Sequence, residues 1–287
     1  MQIRVPASSA NLGPGFDSIG LAVNCYLELT VLEPAGEWFV DHDLPGLSHG
    51  ASNLIVKAAL AQVPDLAPHH LLMRSAIPVT HGLGSSSAAI VAGIELANQL
   101  AGLHLTKEEK VQRAAALEGH PDNVAPAIYG GLVVGTRLED EFVVLPAPLP
   151  PVKLVAYVPP YSLQTAAARA ALPNQLAFKE AVAASAVANT LVAALYSKRL
   201  DLVGKLLEAD RFHEAARTSL VPELPRVRAV AHQVGAVATY LSGAGPTIMT
   251  LIKPARIPAF KNALQEAGLT APLLELTVDR QGVTVSD

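Results

Sequence analysis

The chain has 287 residues, 51% of them hydrophobic, which suffices for two modest domains with a sizeable core and excludes general disorder. Its 21 Lys+Arg against 25 Asp+Glu leave a net charge of −4, so a nucleic-acid backbone is not expected as a partner. The single Cys25 excludes an internal disulfide and zinc sites built from several thiolates, and the nine histidines show no HExxH spacing.

Charged residues make up only 16%, against about 25% in an average soluble domain, which raises the question of a membrane span. The longest weakly polar stretch, Ala181 to Tyr196, is interrupted by Ser185, Asn189 and Thr190 and falls short of the roughly 20 residues a spanning helix needs, so no membrane is expected. The opening Met1-Gln2-Ile3-Arg4-Val5-Pro6 reads as a strand, not as a secretion signal, and points to the cytoplasm.

In chain order, Gln2 to Ala7 and Gly20 to Glu33 are predicted strands, separated by a loop over 8–19 that is rich for a mere connector. Asn53 to Val63 predicts a short helix, and Leu71 to Val79 a strand entering a glycine loop at Gly82. Ser86 to Ala101 predicts a helix ended by Gly102, and Thr106 with Glu109 a capping box for the next helix, to about Leu117. Gly130 and Gly131 introduce a strand through Thr136. Leu145 to Lys153 holds four prolines in nine residues, a stiff junction that places a domain boundary near residue 148. Beyond it the pattern gives a strand at Lys153 to Val158, an interrupted helical region from about Asn174 to Arg217, a helix at Arg226 to Val234 and strands at Ala236 to Leu241 and Thr247 to Ile252. A helix at Ala255 to Ala267 and a strand at Leu273 to Val278 follow. Such mixed order is α+β and not a doubly wound sheet.

Three loops carry chemistry. Pro78-Val79-Thr80-His81-Gly82-Leu83-Gly84-Ser85-Ser86-Ser87-Ala88 lies between a predicted strand and a predicted helix. Its glycines allow close backbone approach, and the first helical turn offers unpaired N–H groups at its positive end, which together suit phosphate. The serines add oxygens for phosphate or Mg²⁺. No Lys precedes them, so this is no Walker A loop; a plain Gly/Ser turn capping an apolar helix is the competing reading. The loop Leu241-Ser242-Gly243-Ala244-Gly245-Pro246-Thr247 is by itself weak, since such connections are usually structural. Ser8-Ser9-Ala10-Asn11-Leu12-Gly13-Pro14-Gly15-Phe16-Asp17 sets Asn11 and Asp17 on a rigid turn, where they could orient a polar substrate or merely form the turn.

Taken together, the order, spacing and text of these loops resemble the three motifs of the GHMP kinases over nearly the whole chain. VPASSANLGPGFDSIGLAV and Gly119 to Gly131 (GHPDNVAPAIYGG) are similar in particular to the branch that phosphorylates L-homoserine in threonine biosynthesis. The resemblance implies a two-domain α+β fold: residues 1–148 form an ATP-binding domain with a left-handed β-α-β crossover, residues 149–287 a ferredoxin-like domain, and the cleft between them the active site. It also implies a homodimer.

By the same resemblance, Pro78, Val79, Thr80, His81, Gly82, Leu83, Gly84, Ser85, Ser86, Ser87 and Ala88 wrap the phosphates of ATP, with Asn53 near the nucleoside. Ser86 or a neighbouring serine, with Glu118, holds Mg²⁺, an ion that takes a few oxygen ligands beside phosphate oxygens. Asp17, with Asn11 and His120 nearby, faces the ammonium of the acceptor; Arg169 and Arg217 fork onto its carboxylate. Asn123 hydrogen-bonds near the attacking hydroxyl; it could also cap the helix ahead of Val124-Ala125-Pro126, a role that does not exclude the first. The expected reaction is in-line attack without a strong base, with Asn123 and Arg217 the catalytic residues. His81 stands where the family often has a smaller residue, and its imidazole could touch a phosphate or merely point to solvent; the residues before Arg217 lack the Pro-aromatic pair frequent in the family. Two alternatives are a family member acting on a mevalonate-like or sugar-like alcohol, which needs no partner for an ammonium, and a non-catalytic nucleotide or metabolite sensor, which would lack the phosphate loop or Glu118.

Overall fold

In the computed structural model, which describes residues 1–149 and 151–286, the alternation of the opening residues becomes an antiparallel pair. Strands β1 (Gln2–Ala10) and β2 (Ile19–Pro34) run with Gln2 opposite Thr30 and Ala10 opposite Gly20. The near part of β2 is buried on both faces and its far part alternates, so one strand serves both the centre of the sheet and a half-exposed ladder. Strand β3 (Phe39–Asp41) leads through helix α1 (Leu54–Leu60) to β4 (His69–Ser75), which pairs with the far part of β2 and lies parallel to β3. Asn53 accepts the Ile55 amide and so caps α1.

Helix α2 (Ser85–Leu100) is buried nearly all round, because Ala, Ile, Val and Leu face every side of it. The capping box stands as predicted: Thr106 Oγ1 accepts the Glu109 amide and Glu109 Oε2 accepts the Thr106 amide, opening α3 (Lys107–Glu118). Next come α4 (Val124–Tyr129), β5 (Leu132–Leu138) on the near end of β2, and β6 (Glu141–Ala147) beside β5. β3 and β6 escape the sequence reading: three residues show no period, and Glu141–Ala147 runs into the proline-rich stretch that reads as a linker.

The second sheet begins at β7 (Lys153–Tyr157). Helices α5 (Thr165–Ala170), α6 (Phe178–Tyr196), α7 (Leu200–Leu207), α8 (Glu214–Arg217) and α9 (Glu223–Gln233) follow, then β8 (Ala238–Leu241), β9 (Ile248–Ile252), α10 (Ile257–Glu266) and β10 (Leu273–Leu276). The antiparallel order β10-β7-β9-β8, flanked by helices, is the ferredoxin-like arrangement expected. The chain then returns, and β11 (Thr284–Ser286) pairs with β1 at the edge of the first sheet, a contact the division 149–287 did not foresee. Pro150, inside the expected junction, and Asp287 lie outside the described residues. The apolar stretch read as ending short of a span is part of a 19-residue helix, α6, long and apolar enough by composition to cross a membrane; one such helix is weak grounds for a span, and its Ala184, Leu191, Ala194 and Leu195 are buried in the protein.

One buried ion pair fixes the helices that reach the cleft. Glu95 on α2, 2% exposed, faces Lys110 Nζ of α3 at 2.7 Å and accepts the side-chain amides of Asn98 and Gln99 at 3.0 and 2.7 Å. Burial alone raises a carboxyl's pKa; Lys110 and the two amides outweigh it and hold Glu95 below the usual range. Removing one partner strands the other charge, so Glu95→Ala is expected to lower unfolding free energy by about 3–5 kcal/mol, while a Glu95→Leu/Lys110→Met double variant loses much less. Denaturant titration checks this; equal losses would show that the pair does not act as a unit.

Candidate active site

Where the two sheets meet, a cleft with a cavity of about 110 Å³ is lined by residues from all three loops. Gly84 takes φ +68° as the N-cap of α2, and no side chain caps that helix, so its first amides are left to a guest. A Cβ on Gly84 would stand 2.2 Å from Ser8 Oγ, and one on Gly82 (φ +77°) 2.3 Å from the Ser242 carbonyl, so only glycine fits either place. Ser87, 1% exposed, donates its hydroxyl to Glu118 Oε1 at 2.8 Å, joining the start of α2 to the end of α3. The serine beside Glu118 is thus Ser87; Ser86, the residue expected for the metal, is exposed.

Thr80, His81, Gly82, Gly84, Ser85, Ser86 and Ser87 line this cavity; Pro78, Leu83 and Ala88 do not, and Leu83 and Ala88 are fully buried in the core. His81 Nδ1 donates to the Val79 carbonyl at 2.6 Å and so braces its own loop. Ser85 and Ser86 are shared with a second cavity of about 440 Å³, walled by Leu27, Leu44, Leu47, Met73, Val79 and Ala89, with Asn53 at its side. Asn53 is committed to the fold: its amide donates to the Ser48 carbonyl at 2.7 Å while its oxygen caps α1. A large apolar cavity abutting a small polar one at a helix N-terminus suits a nucleoside followed by phosphates.

On the opposite wall, Asn11 (φ 73°) and Asp17 (φ 55°) hold left-handed backbone conformations, and the Asp17 amide donates to Asn11 Oδ1 at 3.1 Å. Asp17 and Arg169, expected at opposite ends of the acceptor, instead pair with each other, Nη2–Oδ1 at 2.8 Å and Nη1–Oδ2 at 3.1 Å, because opposite charges facing one cleft satisfy each other. That hydrogen bond raises the Arg169 pKa against the opposing effect of burial. His120 Nδ1 lies 2.5 Å from Asp122 Oδ1; burial disfavours the imidazolium, but the Asp122 bond and the charges of Asp122, Asp17 and Glu118 raise its pKa overall. Asn123 lines the cleft beside them and accepts the Ser8 hydroxyl at 2.9 Å; it stands at the N-cap position of α4, but its side chain makes no cap bond.

Arg217 is the largest fully buried side chain, 2% exposed, and its bonds go to neutral acceptors: the Ala168 carbonyl (3.0 Å), the Gly243 carbonyl (3.1 Å) and His213 Nδ1 (3.3 Å). Among the described residues no carboxylate pairs with it. Burial, followed by the nearby Arg169, pushes its pKa down to about 10, still well above neutrality. A buried guanidinium without a counter-charge is costly unless an anion joins it. Sequence reasoning missed Asp122, 2% exposed between two chosen neighbours, and Phe16, whose ring lies 5.5 Å from both guanidinium carbons.

These features define a small-molecule kinase, and the comparisons agree. The N-terminal and C-terminal domain models of the GHMP kinases match residues 51–131 and 191–269. A homoserine kinase from Limosilactobacillus fermentum is 63% identical, over the whole of both chains. The structure of a homoserine kinase from Cytophaga hutchinsonii superposes with a TM-score of 0.87 at 29% identity, over 100% of this chain and 97% of that one. The L. major mevalonate kinase, solved with R-mevalonate, shares the fold with a TM-score of 0.76 at 22% identity, over 98% and 96% of the two chains. The chain belongs to the GHMP kinase family. It is therefore an ATP-using kinase.

The unpaired state of Arg217 has a measurable consequence. Its burial cost offsets its bonds to neutral acceptors, so Arg217→Met is expected to leave the denaturant midpoint unchanged or higher while catalysis is lost, a trade typical of active sites. A large fall in the midpoint would show that those bonds outweigh the burial.

Proposed function

We infer that this kinase transfers the terminal phosphoryl of ATP to the side-chain hydroxyl of L-homoserine, giving O-phospho-L-homoserine for threonine biosynthesis. One observation carries the reading: the acceptor wall presents Asp17, Arg169 and Arg217 together, one carboxylate for an ammonium and two guanidiniums for a carboxylate. The Asp17–Arg169 pair is about a third exposed, and such pairs are worth about 0–1 kcal/mol. A zwitterion can exchange that one weak pair for two, at little cost. A mevalonate-like acceptor has no ammonium to repay the exposed Asp17, and a sensor would have no need of the Ser87–Glu118 contact. The homoserine kinase relatives, matched over the full chain, support the same choice.

Asn11 shapes the Asp17 turn, His120 bears on the ammonium side, and Asn123 orients the hydroxyl. In-line attack needs alignment and charge stabilisation more than a strong base, so the amides at the start of α2 and Arg217 steady the transferring phosphoryl while the hydroxyl proton leaves to solvent or phosphate. Ser87 and Glu118 present two hard oxygen donors beside the phosphate site and would hold Mg²⁺, which would neutralise charge on the β- and γ-phosphates. The second cavity, with Val79 and Asn53, takes the nucleoside. A division of the chain near residue 148, a homodimer and a cytoplasmic location are part of this proposal.

A coupled ADP-release assay over a panel of alcohols, with and without Mg²⁺, is expected to give L-homoserine the highest kcat/KM; a better mevalonate-like or sugar-like acceptor would overturn the reading. Asp17→Asn should raise the KM for homoserine by about tenfold or more with a smaller change in kcat. A loss confined to kcat would instead make Asp17 a base. Ser87→Ala and Glu118→Gln should each raise the Mg²⁺ concentration for half-maximal rate, and Ser86→Ala should do so less; the opposite ranking returns the ligand role to Ser86.

A further inference from the structure

His213 is fully buried at 0% exposure, outside the residues lining the cleft, yet it bridges two of its walls. Its Nε2 lies 3.0 Å from the Gly13 carbonyl, in the turn that carries Asp17, and its Nδ1 lies 3.3 Å from Arg217 Nη1. A carbonyl only accepts and a guanidinium only donates, so both contacts are satisfied by one form alone: a neutral ring with its proton on Nε2. The imidazole also lies against Phe16, ring centroids 5.3 Å apart, and Phe16 in turn lies against the guanidiniums of Arg169 and Arg217.

We propose that His213 is a positioning residue of the acceptor site, which as a neutral bridge fixes the distance between the Asp17 turn and the Arg217 guanidinium without taking up the charge of Arg217. The neutrality matters. A carboxylate at this place would hold Arg217 as firmly but would spend its charge inside the protein, and a lysine would repel it. An imidazole is the side chain that can donate at one end and accept at the other across this span while leaving the guanidinium positive toward the cleft. Burial, the largest influence, lowers the pKa of His213 and Arg217 adds to it, against the carboxylates of Asp210 and Glu214, which favours the neutral ring the bonds require. The backbone that carries the ring is itself anchored, since Asp210 Oδ2 accepts the main-chain amides of His213 and Glu214 at 2.9 and 2.8 Å.

This inference rests on the two-ended acceptor reading above, and three variants divide its parts. Asn presents its oxygen near the place of Nδ1 and keeps an acceptor for Arg217; Gln presents its amide near the place of Nε2 and keeps a donor for Gly13; Leu keeps neither. With the best acceptor of the wild-type panel, His213→Leu is expected to raise the acceptor KM by about tenfold or more, the loss of a hydrogen bond to a charged group, with the KM for ATP unchanged. His213→Asn should recover part of that loss and His213→Gln less, whatever the order of their melting temperatures. The proposal is overturned if acceptor and ATP KM rise together, if Asn and Gln behave alike, or if all folded variants keep the wild-type acceptor KM. Should His213→Leu not fold, the Asn–Gln comparison decides alone. Failure of the homoserine reading shows separately, as a different best acceptor for the wild-type enzyme.

Discussion

The turn ahead of α2 keeps its shape because four successive carbonyls are fastened from outside. The Leu163 amide donates to Thr80 O (3.1 Å), the Thr247 amide to His81 O (3.2 Å), the Ser242 hydroxyl to Gly82 O (2.7 Å) and the Ser8 amide to Leu83 O (3.2 Å). In a planar trans peptide the N–H points opposite to the C=O of the same unit. Securing the carbonyls of 80–83 therefore also fixes the amides of 81–84, each opposite to the carbonyl of its own peptide unit, just ahead of the first amides of α2. The shape of this turn is thus a product of the sheets around it, with donors from β1, from the segment after β7 and from the β8–β9 loop.

The same β8–β9 loop fixes the wall that carries Asn11 and Arg217. The Gly243 carbonyl receives both the Asn11 side-chain amide (3.0 Å) and Arg217 Nη1 (3.1 Å), and the Gly243 amide donates to Ala10 O (3.1 Å). Ser9 and Ser242 share a buried hydroxyl contact at 2.7 Å. Each loop is incomplete alone, which explains why the third, weak as a sequence signal, is the one that ties the other two together. It also explains how Asn11 and Asp17 hold backbone conformations that side chains disfavour: the contacts across the cleft over-determine them.

Much of this was legible in the residues because the periodic elements obey local rules. The alternation of β2, the capping box at Thr106 and Glu109 and the glycine stop after α2 need no tertiary information, and each stands within a few residues of its expected place. The C-terminal strands β8, β9 and β10 were legible for the same reason. What escaped depends on partners far along the chain. β11 is a strand only because β1 offers an edge some 280 residues earlier, and which serine of the loop meets Glu118 is set by the helical face turned toward it. Asp122, His213 and the Asp17–Arg169 pair belong to the same class: residue type suggests what they can do, and only the folded chain shows whom they meet.

The charges of the cleft also say what must neutralise the nucleotide. Its lining includes the carboxylates of Asp17, Glu118 and Asp122, the guanidiniums of Arg169 and Arg217 and the imidazoles of His81 and His120, and no lysine. Asp17 and Arg169 cancel, Asp122 is bonded to His120, and the charge of Arg217 is matched in number by Glu118 on the other side. The carboxylates and guanidiniums therefore leave no surplus of positive charge for a triphosphate, in contrast to a P-loop, whose lysine reaches the β- and γ-phosphates. The remaining positive potential lies in the oriented amides of 81–84 and of the start of α2. Those dipoles are fractional, and a polyanion brought beside Glu118 would meet repulsion unless a cation stood between them. In the proposed function the Ser87–Glu118 pair is where such a cation would be held, so a carboxylate that would repel the phosphates alone would, with a divalent ion, help to hold them.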